Sequence, residues 1–216
     1  MRRRTFLASA GAVLLPVRAE PPADFYFTRL KYASGDWNAI PMAGATVLQA
    51  LARHTNLHTD PRERVAALGD ARMLESPFCY LAGTGLAQFN SAERANFERY
   101  VRGGGFVYAD DAGAEPGGLF ARSFEAELAR SFGPKALRRL APGHPLFSCY
   151  FQFDAAPESA APAGAIDDGA VRGELRAIDI GGRIRVLYSN KHYSGARATV
   201  ETRRFAVNII EYALGA

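Results

Sequence analysis

The run Ser-Pro-Phe-Cys-Tyr-Leu-Ala-Gly-Thr-Gly at residues 76–85 decides the fold. Between Pro77 and the turn signal Gly83-Thr84-Gly85 the residues are apolar, with no polar alternation, which is the pattern of a strand buried on both faces. The pattern returns at Phe106-Val107-Tyr108-Ala109, after Gly103-Gly104-Gly105, and closes with Asp110-Asp111. Two such strands need cover on both sides, so the segments around them should be helices on an open, mostly parallel sheet.

Working outward, the helices are found where expected. Pro41 to His54 carries Val47, Leu48 and Leu51 at helical spacing, with Pro41 suited to a first turn. Asn90 and Glu93 have capping-box spacing ahead of Phe97, Tyr100 and Val101. Phe124, Leu128 and Phe132 step by four through 120–132 until Gly133-Pro134 stops the helix. Residues 202–214 place Phe205, Ala206, Ile209, Ile210 and Ala213 on one side. Alternation over 24–32 predicts a first strand, with Arg29 and Lys31 as solvent-side residues of an exposed edge. A weaker strand is expected at 56–58 and another at 146–153 after the His144-Pro145 turn. Residues 174–180 and 183–188 form a hairpin across Gly181-Gly182, an antiparallel extension of the sheet. The Ala-, Pro- and Gly-rich stretch 155–169 reads as a surface loop.

The beginning of the chain reads as an address. Arg3 and Arg4 stand just before Phe6-Leu7, a short apolar run extends to Leu15, and Val17-Arg18-Ala19 fits a small-residue cleavage site. Residues 1–19 are therefore expected to be a twin-arginine signal peptide and 20–216 a single exported, periplasmic domain with no membrane span. The formal charge of +4 belongs to that leader. Taking Arg2, Arg3, Arg4 and Arg18 from the 26 basic residues leaves as many bases as the 22 acids, so a nucleic-acid partner is not expected. Cys79 and Cys149 each sit in aromatic surroundings and read as buried free thiols.

Several pieces in order carry a resemblance. They are Arg29 to Tyr32 with Gly35-Asp36-Trp37, Pro77-Phe78 through Ala82-Gly83, and Tyr100-Val101 with Gly103 to Phe106 and Asp110-Asp111. His144-Pro145-Leu146-Phe147 and Asn208-Ile209-Ile210 with Tyr212-Ala213-Leu214 complete the set. From about residue 24 onward the chain resembles the domain-of-unknown-function family 4159. The resemblance implies a flavodoxin-like three-layer α/β sandwich, similar to class I glutamine amidotransferases and the ThuA-like proteins, and brings no activity with it. Where amidotransferases place a Gly-Cys-Gly elbow, this chain has Asp110-Asp111-Ala112-Gly113, so thiol-based glutamine hydrolysis is not expected.

In open α/β sheets, ligands bind beyond the carboxyl ends of the strands. That rule gathers Tyr32, Asp36, Trp37, Gly83, Thr84, Asp110, Asp111 and Asn190 as candidate ligand-binding residues. Adjacent Asp110 and Asp111 could hold a cation or divide acid and base roles, and His144 could move a proton. Trp37 could stack on a ring or close the core. No metal site is predicted, and no flavin, nicotinamide or Fe–S signature is visible, so no cofactor is expected. The leading expectation is a binding or interaction module for a small polar ligand or an envelope protein. The alternative is a hydrolase of a saccharide or other polar envelope component, using Asp110 or Asp111 with His144.

Overall fold

The structure, a computed structural model, describes residues 23–113, 117–158, 175–191, 193 and 198–215. The stretch 1–19 expected to be a signal peptide, His192 and most of the Ala-, Pro- and Gly-rich stretch lie outside these. The chain runs β1 (Thr28–Lys31), α1 (Ala43–His54), β2 (Arg64–Ala67), β3 (Phe78–Gly83), α2 (Ser91–Arg102), β4 (Phe106–Asp111), α3 (Leu119–Phe132), β5 (Arg138–Arg139), β6 (Leu175–Ile180), β7 (Arg183–Ser189) and α4 (Val200–Leu214). Short 3-10 turns occupy Ala71–Glu75 and Pro145–Phe147.

The seven strands form one sheet in the order β2-β1-β3-β4-β7-β6-β5. β2, β1, β3, β4 and β7 are parallel, while β6 and β5 continue the sheet antiparallel beyond β7. Counted among the parallel strands alone, the order is the flavodoxin-like 2-1-3-4-5, with its switch point between β1 and β3. α1 and α4 cover one face over Phe27, Phe78, Tyr80, Phe106 and Tyr108. α2 and α3 cover the other over Leu30, Leu81, Val107 and Tyr188. β3 and β4 are buried along their whole length, as their unbroken apolar runs require. The Asn90–Glu93 capping box opens α2, with the Asn90 side chain accepting from the Ala92 and Glu93 amides and Glu93 accepting from the Asn90 amide. Such a cap contributes about 1 kcal/mol.

Three local expectations are corrected. The strand expected at 56–58 is displaced to Arg64–Ala67, and only a lone bridge joins Phe25 to Thr59. Residues 146–153 form a 3-10 turn followed by irregular chain. Asn208 of α4 takes the place of a neighbouring strand there, donating to Leu146 O and Phe151 O at 2.9 and 2.8 Å and accepting from the Phe151 amide at 2.8 Å. The apolar character of that stretch serves the α1/α4 core, on which Phe147, Phe151 and Phe153 pack while Tyr150 stays exposed.

Arg29 is not on an exposed edge either. β2 covers β1, so Arg29 is fully buried and Lys31 alone is exposed. The Arg29 guanidinium pairs with Glu63, donates to Pro41 O at 3.4 Å and lies 5.2 Å from the Tyr80 ring centre. A buried cation is tolerated only with such a partner.

Candidate functional site

At the switch point the chain fills its own crevice. Tyr32 Oη donates to Ala82 O at 3.0 Å across the ends of β1 and β3. A Cβ on Gly83 would stand 2.2 Å from Tyr32 Oη and 2.7 Å from the Phe120 ring, and one on Gly35 would stand 2.5 Å from Leu86 O. Only glycine fits either place. Above them the Asp36 carboxylate accepts from the Thr84 amide at 3.0 Å, the Gly85 amide at 3.0 Å and the Thr84 hydroxyl. These are the donors that would otherwise meet an incoming anion at the end of β3. Partial burial works to raise the Asp36 pKa, but the hydrogen bonds from Thr84 and Gly85 outweigh it and hold the carboxyl below its ordinary range. Burial and the nearby Asp36 charge push the Tyr32 phenol upward.

The same loop is tied down at further points. The Ala33 amide donates to Glu93 at 2.8 Å, Ser34 Oγ donates to Leu86 O at 3.1 Å, and the Gln88 amide donates to Ser34 Oγ at 2.8 Å. Tyr32, Asp36, Gly83 and Thr84 thus come together as a latch that fixes the β1–α1 loop.

Asp110 and Asp111 close β4, paired in register with Ala82 and Gly83 of β3, and both are buried. Because they belong to the strand, they point to opposite faces. Asp110 lies on the α1/α4 side, where its charge adds to burial in raising the phenols of Tyr108 and Tyr193. Asp111 lies on the α2/α3 side, accepting from the Gly113 amide at 3.0 Å and from Tyr188 Oη at 3.2 Å. Arg176, paired with Glu125, sits 4.9 Å from the Tyr188 ring centre. A single cation or substrate shared between the two aspartates is therefore not built. Asn190 follows β7, half-buried, beside a loop in which the Lys191 amide donates to Ser189 Oγ at 3.0 Å. Lys191 Nζ and Tyr193 Oη both donate to Pro157 O there, at 3.3 and 2.7 Å.

His144 is at the opposite end of the sheet. Its Nδ1 accepts from the Leu146 amide at 3.1 Å, capping the 3-10 turn, and its ring lies 5.4 Å from that of Tyr212. Tyr212 in turn packs on Phe106, the first residue of β4, whereas Asp110 stands about 13 Å further along that strand. Burial lowers the His144 pKa, partly offset by the Asp179 charge. The expected Asp–His acid–base pair is not brought together. Among the described residues no three His, Cys, Asp or Glu side chains form a group that could hold a metal. His54 and His58 are four apart, but α1 ends at His54, so they do not share a helix face. Cys79 is buried on the α2/α3 side, its thiol pushed up to about 12 by burial, while Cys149, expected to be buried, is only half-buried against the α1/α4 core, and both are free.

The open hollow near the switch point lies outside the latch. Trp37, half-buried, with Lys31 Nζ 5.5 Å from its ring centre, forms one wall of a groove of about 390 Å³. Pro41, Ala45 and Leu48 of the α1 side and Pro61, Glu63 and Val65 of the β2 side complete it. Sequence reasoning finds Trp37 but misses Val65 and Glu63. Their only signal is Pro61, a turn residue that brings β2 alongside α1.

No helix among the described residues is long and apolar enough to cross a membrane. No curated protein matches the chain. Among solved structures, the chain is similar to a putative GMP synthase protein from Thermoplasma acidophilum, with 11% identity and a TM-score of 0.38 over 88% of this chain and 94% of that one. The model of a family described as a domain of unknown function, DUF4159, matches residues 26–214, and the chain belongs to that family.

Proposed function

We propose that this protein is an exported binding module that seats its ligand in the groove walled by Trp37, and that it is not a hydrolase. The observation that carries this reading is the latch. Asp36, Thr84, Ser34 and Glu93 fix the loop on both sides of Gly35, so that Trp37 is presented at the groove mouth already ordered. A preordered aromatic wall lowers the entropy lost on binding. Groove walls of proline, leucine and valine beside Asn38 and Glu63 suit a ligand with apolar and polar parts.

Trp37 is the single tryptophan of the chain, so tryptophan emission, excited where tyrosine does not absorb, reports on this groove alone. Soluble oligosaccharides and short peptides should be titrated against the domain beginning at residue 20, with Trp37→Phe as the control. A ligand that shifts the emission and raises Tm by mass action supports the reading. A ligand that binds without touching the emission, and is lost in Asp110→Asn, moves the site to the end of β4. Export is tested separately: replacing Arg3 and Arg4 by lysine should leave precursor in the cytoplasm, and unchanged export would refute the twin-arginine route.

A further inference from the structure

We infer that the ligand is an extended acidic peptide that adds as a further strand to the free edge of β2, an inference that rests on the groove reading above. Among the described residues β2 ends the sheet and pairs only with β1. The Arg64 and Leu68 amides donate to Phe27 O, just before β1, and to Lys31 O at its end, at 2.9 and 2.8 Å. Backbone groups alternate sides along a strand, so those of Val65 and the Ala67 amide face outward.

Each face beside that edge has a hollow. On the α1 side is the groove of Trp37, Pro41, Leu48 and Val65. On the α2 side is a smaller one of about 210 Å³, lined by Tyr26, Thr28, Arg64, Ala66, Arg72 and Glu75. An added strand sends alternate side chains to opposite faces, so it would fill both hollows at once, apolar residues against Trp37 and Val65, polar residues against Arg64 and Arg72.

The charges select the polar residues. Arg62 and Arg72 are 90% and 75% exposed at their side chains, while their partners Asp60 and Asp70 are 19% and 32% exposed. Glu63 is drawn inward by buried Arg29. The acids thus turn in and the bases turn out, with Glu75 the opposing acid on the α2 side. Val65 is itself 51% exposed, a large apolar side chain awaiting cover. Charged residues along a free edge discourage indiscriminate pairing. Here they leave the edge open to a strand of opposite sign.

The test uses a capped hexapeptide of alternating valine and glutamate, with the valine–lysine counterpart, on the domain beginning at residue 20. Binding is read by Trp37 emission and calorimetry. The acidic peptide should bind at least about tenfold more tightly than the basic one at low salt and weaken as salt rises. Val65→Pro removes one outward amide and no β1–β2 hydrogen bond, and should weaken binding about tenfold, whereas Val65→Thr keeps the amide and most of the affinity. A second arm leaves the protein unaltered: N-methylation of one alternate set of peptide nitrogens should abolish binding and of the other set should spare it. Equal binding of both N-methylated peptides, with the Trp37 shift intact, overturns strand addition and leaves the groove reading standing. Heat of binding without a Trp37 shift overturns the groove reading itself. Dimerisation that Val65→Pro abolishes, with no peptide binding, would assign the edge to a second copy and overturn the peptide.

Discussion

Over β1 and β3 the carboxyl edge of the sheet is closed by an aspartate that remains exposed; over β4 it is closed by two aspartates that are buried. Asp36 keeps its hydration on one side while backbone amides and a hydroxyl come to it on the other, so its charge is cheap to hold. Asp111 has given up its water, and the Tyr188 hydroxyl that approaches it is buried with it, while the Gly113 amide reaches it from an exposed turn. The same residue type at neighbouring strand ends therefore does two jobs. Asp36 positions a loop, whereas Asp111 holds part of the interior together.

Substitutions can break that contrast, starting with the largest effect. Asp111→Ala strands the buried Tyr188 hydroxyl and should cost about 2 kcal/mol in urea unfolding, beyond the loss expected at Asp36. Tyr188→Phe removes only the donor and should cost about 1.5 kcal/mol by the same measurement. Asp36→Ala should cost about 1 kcal/mol, in the range of a lost cap, yet weaken any ligand-induced shift of Trp37 emission because the loop is released.

The pH dependence separates the groups further. The Asp36 pKa is lowered on folding, so its stabilisation is complete above about pH 4 and drains away as pH falls through the lowered value. Asp36→Asn should flatten the stability curve in that acid window alone. His144 is also lowered, but it is a base whose neutral ring accepts the Leu146 amide. Its stabilisation is present above about pH 6.5 and is lost as pH falls below that. His144→Ala should remove this step in thermal melts between pH 7 and 5 and leave the Asp36 step untouched.

Strands that are buried on both faces announce themselves, which is why β3 and β4 are legible from 78–82 and 106–109. So are the Asn90–Glu93 cap and the β6–β7 hairpin, whose signals are local. β2 is not, because Arg-Val-Ala-Ala at the sheet margin has neither an apolar run nor clean alternation, and its pairing with β1 is settled by contacts more than thirty residues away. Arg29 misleads for the same reason: its partner Glu63 is distant in sequence. Asp110 and Asp111 make a matched pair only if β4 ends at Ala109. With β4 continuing through Asp111, alternation alone separates them. The latch joins Asp36 to Thr84 across forty-eight positions, beyond any periodicity.

Tyr32 can finally be regarded as a stopper. Its ring occupies the space that Gly35 and Gly83 leave vacant, and its hydroxyl tethers it there to Ala82 O. Replacing it with glycine would excavate a phenol-shaped chamber at a known address, walled by Phe89 and Phe120 and topped by the Asp36 latch. Apolar chambers of that kind take up small aromatic guests. A Tyr32→Gly protein could then be stiffened or slackened at will by adding or dialysing away a phenol, making the Trp37 loop a chemically controlled element.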